Sequence, residues 1–243
     1  MNVVLFTVLP DLVYNFFNHS ILSRSLSQGI WSLKVVDIKQ YGTGKICKRV
    51  DDYSYGGGGM LMRPDILGNC IEDNIDISCL NQKGKLFIYT SPRGLILNQG
   101  FAQKSATDVT DLYILCGRFE GIDQRIVEYY NIKEVSLGDF ILFGGEVASF
   151  AILESIIRLL PGTISKSTLQ EESFSGELHN MLEYDQFTKP QKWKGKEIPH
   201  VLLSGNHSEI KKWRLKNAQY KTLQRNEKTT YPLLLTTNKT NNI

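Results

Sequence analysis

Short apolar runs alternate with longer amphipathic stretches along the first two thirds of the chain. Residues 3–8, 33–38, 85–90, 111–116 and 132–136 are rich in Val, Ile, Leu and aromatic side chains and too short for a helical repeat. They predict five strands. Between them, residues 64–77, 97–106 and 122–130 have the length and apolar content of helices. Residues 146–160 are apolar nearly all round, which predicts a buried helix, and Pro161-Gly162 ends it. Strands and helices in this alternation indicate an α/β domain with a largely parallel sheet.

The pattern changes after residue 162. Residues 163–172 are mainly Ser, Thr, Lys and Gln without an apolar period, which reads as a linker. Residues 39–59 form another polar stretch, rich in glycine at its end. Further on, residues 208–226 predict a helix with Ile210, Trp213, Leu215 or Lys216, Ala218 and Leu223 on an inner stripe. The expected organisation is a large domain over 1–162, a linker over 163–176 and a small helical, basic domain over 177–243.

Composition narrows the class. The 243 residues are 42% hydrophobic and 22% charged, enough to bury a core, which excludes a disordered polypeptide and a disulfide-stapled miniprotein. No apolar run approaches the roughly 18 residues that span a bilayer, and residues 1–10 lack a basic leader. A cytoplasmic protein without a membrane partner is the expectation. Cys47, Cys70, Cys79 and Cys116 form no Cys-x-x-Cys pair, so they read as reduced thiols rather than zinc ligands or disulfides. Net charge is only +3, but residues 189–228 hold eleven Lys and Arg against three acids, whereas residues 1–188 hold sixteen against twenty-two. That asymmetry points to a polyanion on the C-terminal segment; a solvated helix face is the plainer alternative. Trp193, Trp213 and Tyr220 lie among those cations, either to stack on unpaired bases or to pack inside.

Ligands of parallel α/β sheets bind beyond the carboxyl ends of the strands. Three segments there are glycine-rich: Thr90-Ser91-Pro92-Arg93-Gly94, Gly117-Arg118-Phe119-Glu120-Gly121, and Gly138-Asp139 with Gly144-Gly145-Glu146. Any one alone reads as a tight turn; three converging would make a pocket walled largely by main chain. No Gly-x-Gly-x-x-Gly follows a strand, and Gly42-Thr43-Gly44-Lys45 lacks the upstream Gly and the following Ser or Thr of a phosphate loop. A Rossmann dinucleotide enzyme and a P-loop NTPase are thereby disfavoured.

A longer series of motifs is more specific. Ser91-Pro92-x-Gly94 with Gln99, Cys116 to Asp123 with Arg125, and Ser136 to Leu142 with Gly144-Gly145-Glu146 resemble the bacterial tRNA (guanine-N1)-methyltransferases of the SPOUT class. Asp51-Asp52 with Tyr55-Gly56-Gly57-Gly58, Arg158 to Gly162, Glu172-Ser173-Phe174, and Val201 to His207 running into Trp213-Arg214 extend the similarity in order along nearly the whole chain.

The resemblance implies an α/β domain tied in a deep trefoil knot, a small helical C-terminal domain, and a homodimer with the active site shared between subunits. It implies S-adenosylmethionine in the knot, held by Tyr89, Thr90, Ser91, Pro92, Gly94, Gly117, Phe119, Glu120, Gly121, Ser136, Leu137, Gly138, Asp139, Phe140, Ile141, Leu142, Gly144 and Gly145. Asp139 also suits a turn or cap. The implied reaction methylates N1 of the guanine immediately 3′ of the anticodon in tRNA. The implied general base is Glu172, where the family pattern has Asp and which also suits a linker acid at a helix start, and its implied partner is Arg158, which also suits a helical ion pair with Glu154. Implied substrate contacts are Asp52, Glu120, Phe174, Lys189, Ser204, Asn206, His207, Trp213 and Arg214. Ser54 replaces a usual Pro, and Lys189 a usual Arg, which keeps charge but not the bidentate fork. Family chemistry also implies Mg2+ dependence, to which Asp51 and Asp52 could contribute, although adjacent acids also suit a solvated loop and no metal ligands are assigned. Two other readings stand beside this one: a catalytically silent tRNA- or RNA-binding knotted protein, and an S-adenosylmethionine enzyme of the same class acting on another RNA.

Overall fold

Alternate residues of the first strand enter opposite cores. In the computed structural model, β1 (Asn2–Thr7) buries Val3 and Leu5 in one apolar cluster and Phe6 in another, the two-residue period of a strand covered on both faces. The structure describes residues 1–44, 48–176 and 178–229, with side chains to residue 226. Lys45, Cys47, the side chain of Lys228 and the 230–243 end of the expected second domain lie outside the described residues.

Two helices, α1 (Pro10–Phe17) and α2 (Ser20–Ser27), lead to β2 (Ser32–Asp37). A hairpin of β3 (Asp51–Tyr53) and β4 (Met60–Met62) precedes α3 (Pro64–Glu72). Then follow β5 (Lys85–Ile96), α4 (Gln99–Asp108), β6 (Asp111–Leu115), α5 (Gln124–Tyr129), β7 (Lys133–Ser136) and α6 (Gly145–Ile157). The five long-range strands form one sheet in the order β2-β1-β6-β5-β7, with every pairing parallel. Ile66, Leu67 and Ile71 of α3 and Ile126 and Val127 of α5 pack on one face. Val13 and Phe17 of α1, Ala102 of α4 and Phe150, Ile152, Leu153, Ile156 and Ile157 of α6 pack on the other. The expected α/β architecture with a parallel sheet is what the chain adopts.

Several elements depart from the sequence pattern. The region of α1 and α2 carries no element in the sequence reading, although Leu12, Val13, Phe16 and Phe17 fall at helical spacing behind Pro10, a favoured first residue. The third helix stops at Glu72, short of residue 77, and the Asn74 amide folds back onto the Cys70 carbonyl oxygen at 2.8 Å. The strand at 85–90 continues to Ile96: Thr90 and Leu95 both pair with Val135, so residues 91–94 bulge from within β5 rather than following it.

A second compact unit begins at Ser165. The stretch read as linker contains α7 (Lys166–Gln170), whose N-terminus is capped by Ser165 Oγ accepting from the Thr168 amide. A small hairpin of β8 (Lys192–Trp193) and β9 (Lys196–Glu197) precedes α8 (His200–Leu203) and α9 (His207–Thr229). Its core is Leu178, Tyr184 and Ala218 with Trp213 packed against them. Asn217 and Thr222 of α9 accept hydrogen bonds from the amides of Asp185 (2.8 Å) and Leu182 (3.0 Å), fixing the irregular 182–185 segment to the helix. Among the described residues, no helix is long and apolar enough to cross a membrane.

Candidate active site

The ends of β5, β6 and β7 bring the three glycine-rich segments around one cavity of about 280 Å3. Tyr89 to Pro92 enter from β5, Gly117 to Gly121 from the loop after β6, and Val135 to Gly138 with Phe140 to Gly145 from β7 and the loop after it. Ala148 of α6 closes the floor. Every cofactor-site residue read from the sequence lines this cavity except Gly94 and Asp139. Asp139 is exposed. Gly94 lies against the Glu134–Val135 peptide so closely that any Cβ would strike backbone, which lets the bulged strand rejoin β7.

Backbone proximity shapes the walls. Gly145 donates its amide to the Gly117 carbonyl oxygen at 2.8 Å, and a side chain at Gly145 would collide with Thr90 Oγ1 and the Cys116 backbone. Burial, with a smaller contribution from Glu134, pushes the Tyr89 phenol above its ordinary pKa, so it is a neutral wall of the cavity at physiological pH. The hairpin β3–β4 braces the 117–121 loop: the Glu120 amide donates to Met60 O at 3.0 Å and the Met62 amide to Gly121 O at 2.9 Å.

Sequence reasoning missed Arg118, Val135, Phe143 and Ala148 as lining residues. Val135 and Ala148 continue a strand and a helix already assigned to the region, but nothing in local spacing singles out Arg118. Its partner, Glu146, lies 28 residues later and is only 1% exposed. Arg118 Nη2 stands 2.8 Å from Glu146 Oε2, an ion pair without hydrogen-bond alignment, while Nε donates to Oε1 at 3.2 Å.

Other sequence-derived residues fall elsewhere. Asp52 is exposed on β3 and accepts from Arg49 at 3.3 Å. Glu120 is exposed at the cavity rim. Arg158 caps the C-terminal end of α6 in the first unit. Glu172 belongs to the second, half-buried beside a hollow lined by Ser167, Thr168, Glu171, Glu183 and Gln186. Phe174 is held by its amide on Met181 O at 2.7 Å, and the Arg225 guanidinium lies 5.3 Å from its ring centroid. Lys189 and His207 are exposed. Ser204 and Asn206 work locally, Ser204 Oγ accepting from the Asn206 amide and Asn206 Oδ1 accepting from the Ser208 and Glu209 amides at the start of α9. Trp213 packs on Tyr184 and Phe187 within the small core, and Arg214 lies over the Tyr184 ring at 4.7 Å. Neither is presented as a free stacking platform.

Comparison with known proteins decides the family. A family model described as tRNA (guanine-1)-methyltransferase TrmD matches residues 1–230. The chain belongs to that family. A protein of Ehrlichia canis named tRNA (guanine-N(1)-)-methyltransferase is 42% identical over 227 residues, covering 93% of both chains. One of the same name from Rickettsia prowazekii is 44% identical over 218 residues, covering 88% of this chain and 91% of the relative. The protein is therefore a tRNA-modifying methyltransferase acting on guanine N1, and nothing favours the silent-binder alternative.

Proposed function

We propose that the cavity beyond β5, β6 and β7 binds S-adenosylmethionine, and that the methyltransferase modifies N1 of the guanine immediately 3′ of the anticodon. The observation that carries this reading is the convergence of three glycine-rich segments on one cavity so closely packed that a Cβ at Gly117 or Gly145 would fill it or its wall. Such a cradle would offer backbone donors and acceptors to a purine and apolar surface, from Leu137, Phe140, Ile141 and Leu142, to the rest of the cofactor. When bound there, the cofactor supplies an electrophilic methyl group on a sulfonium sulfur.

The chain's own residues supply the rest. Guanine N1 carries a proton at neutral pH and is a poor nucleophile until that proton leaves. Glu172 accepts it, and the Arg158 guanidinium stabilises the charge that develops on O6. Phe174 offers a ring to the displaced base, and Asp52, Glu120, Lys189, Ser204, Asn206 and His207 belong to the RNA-facing surface. The eleven cations of residues 189–228 hold the anticodon stem.

A homodimer with shared sites completes the reading. Helix α6 has 13 residues, so about 20 Å separates Gly145 at the cavity from Arg158 at the other end. A second copy can bring its own Arg158 to the cavity mouth, where Ile141 and Phe143 are 80% and 100% exposed. A trefoil knot in the 1–162 domain fits the return of the 137–145 segment past Gly117; residues 163–176 then act as linker to the RNA-binding domain at 177–243. The cytoplasm, where tRNA is modified, is the proposed compartment. Mg2+ does not fit the residues suggested for it: Asp51 and Asp52 both face Arg49, and among the described residues no group of three or more His, Cys, Asp or Glu could hold a metal ion.

Ultraviolet crosslinking of methyl-labelled S-adenosylmethionine, followed by peptide mapping, tests the site. Label on peptides containing residues 89–92, 117–121 or 136–145 supports the reading; label confined to other peptides overturns it.

A further inference from the structure

The two loops that wall the cavity contain little regular structure, and a side-chain contact to a buried carboxylate spans them. Arg118 comes from the loop after β6 and Glu146 from the first turn of α6, immediately after the loop that follows β7. The guanidinium meets both carboxylate oxygens and also reaches the Phe143 carbonyl oxygen at 3.5 Å. Thr7 at the end of β1 donates its hydroxyl to Glu146 Oε1 at 2.7 Å, while its oxygen accepts from the Leu9 amide at 2.9 Å. The carboxylate is thereby referenced to the sheet before it receives the arginine.

We infer that Arg118 and Glu146 are positioning residues that lock the 117–121 and 138–145 loops into the arrangement that receives the cofactor. This rests on reading the cavity as the S-adenosylmethionine site. Stability alone does not account for the pair, because a buried ion pair is often no more stabilising than apolar residues of similar volume. Its geometry does: one hydrogen bond from Nε to Oε1 and one close ionic contact from Nη2 to Oε2 tie the guanidinium to the carboxylate at two points, which limits distance and orientation together. The neighbouring residue adds a second observation. Phe119 lines the cavity with φ of +59°, a left-handed conformation that a side-chain-bearing residue keeps only when its surroundings hold it. Arg118 on Glu146 holds one side of it, and the Glu120 amide on Met60 O holds the other. Releasing the first lets the Phe119 backbone relax and the cavity wall move.

The test uses cofactor-free protein and direct binding of S-adenosylmethionine by calorimetry, with tRNA affinity measured in parallel. Arg118→Met removes every donor while keeping the stem. It is expected to raise the cofactor Kd about tenfold or more and leave tRNA Kd within about twofold. Arg118→Lys restores a charge without the fork and is expected to recover part of the affinity. Hydrogen exchange of the cofactor-free Arg118→Met protein is expected to quicken at residues 117–121 and 143–146, leaving the β-sheet amides unchanged. Should the single variant fold poorly, Arg118→Met with Glu146→Gln removes both charges together, and the same rise in Kd is expected. A folded variant that keeps the wild-type Kd and local exchange overturns the inference, as does a lowered Tm without either change. Gly117→Ala separates the two readings: an impaired Gly117→Ala beside an unimpaired Arg118→Met defeats the positioning role alone, whereas wild-type cofactor affinity in both defeats the cavity assignment beneath it.

Discussion

Gly145 and Gly117 meet through a single 2.8 Å backbone hydrogen bond that joins the start of α6 to the loop after β6. The donor is one of the helix's otherwise unpaired first amides, so the contact satisfies the helix end and closes the cavity floor together. Gly145→Ala places a methyl group against Thr90 Oγ1 and the Cys116 backbone, which cannot yield as a flexible side chain would. The expected result is a loss of about 1–3 kcal/mol of stability, with cofactor affinity lowered more than tenfold, about the loss that small misplacements of a binding wall produce. Calorimetry and thermal unfolding check it, and a variant that binds normally contradicts it.

Glu172 tests the assignment of the base. Glu172→Gln keeps size and hydrogen bonding but cannot take the N1 proton, so single-turnover methyl transfer is expected to fall about 10²–10⁴-fold with tRNA binding retained. Glu172→Asp keeps the carboxylate one methylene shorter and is expected to fall less. A Glu172→Gln enzyme that turns over at the wild-type rate removes this residue from the reaction.

The apolar rim of the cavity carries a prediction about assembly. Ile141 and Phe143 are exposed beside Val147, which is also exposed; burying such a surface is favourable at roughly 25 cal/mol per Å2. Sedimentation is expected to show a dimer, and Ile141→Asp with Phe143→Asp is expected to yield an inactive monomer. A monomeric wild-type protein with full activity contradicts the shared site.

Alkaline pH is expected to weaken the fold. Burial pushes the Cys70 thiol up to about 12, and it raises the Cys116 thiol and, with Glu72 beside it, the Tyr130 phenol. A group raised in the folded state keeps its proton there after the unfolded chain has lost it. Its contribution is therefore full below the unfolded value, about 8.5 for a thiol, and is lost as pH climbs toward the folded one. Denaturant titrations are expected to show stability declining from about pH 8.5 upward, the range between the unfolded thiol value and that of Cys70. In a Cys47→Ser background, a thiol reagent at pH 8 is expected to find one accessible cysteine, Cys79, because Cys70 and Cys116 are buried. Three fast thiols contradict the packing.

How much of this was legible in the sequence differs by element. The strands were readable because a strand buried on both faces is a short, nearly continuous apolar run, as at residues 3–8, and α6 was readable because it is apolar nearly all round. The continuation of β5 through residues 91–94 was not, since Pro92 and Gly94 locally signal a turn and only pairing with Val135 overrides them. Arg118 and Glu146 were invisible as a pair because contact across 28 residues leaves no spacing signature. The helical stripe on α9 did place Trp213 and Ala218 together, but their packing on Leu178 and Tyr184 depends on an irregular segment without a period. Arg158 and Glu172 came from family resemblance alone.

Methyl transfer from labelled S-adenosylmethionine to two tRNA transcripts, one with guanine and one with adenine immediately 3′ of the anticodon, tests the central claim most directly. The account predicts label on the guanine transcript only, recovered as N1-methylguanine at that position. Equal labelling of both transcripts, or none on either, would contradict it.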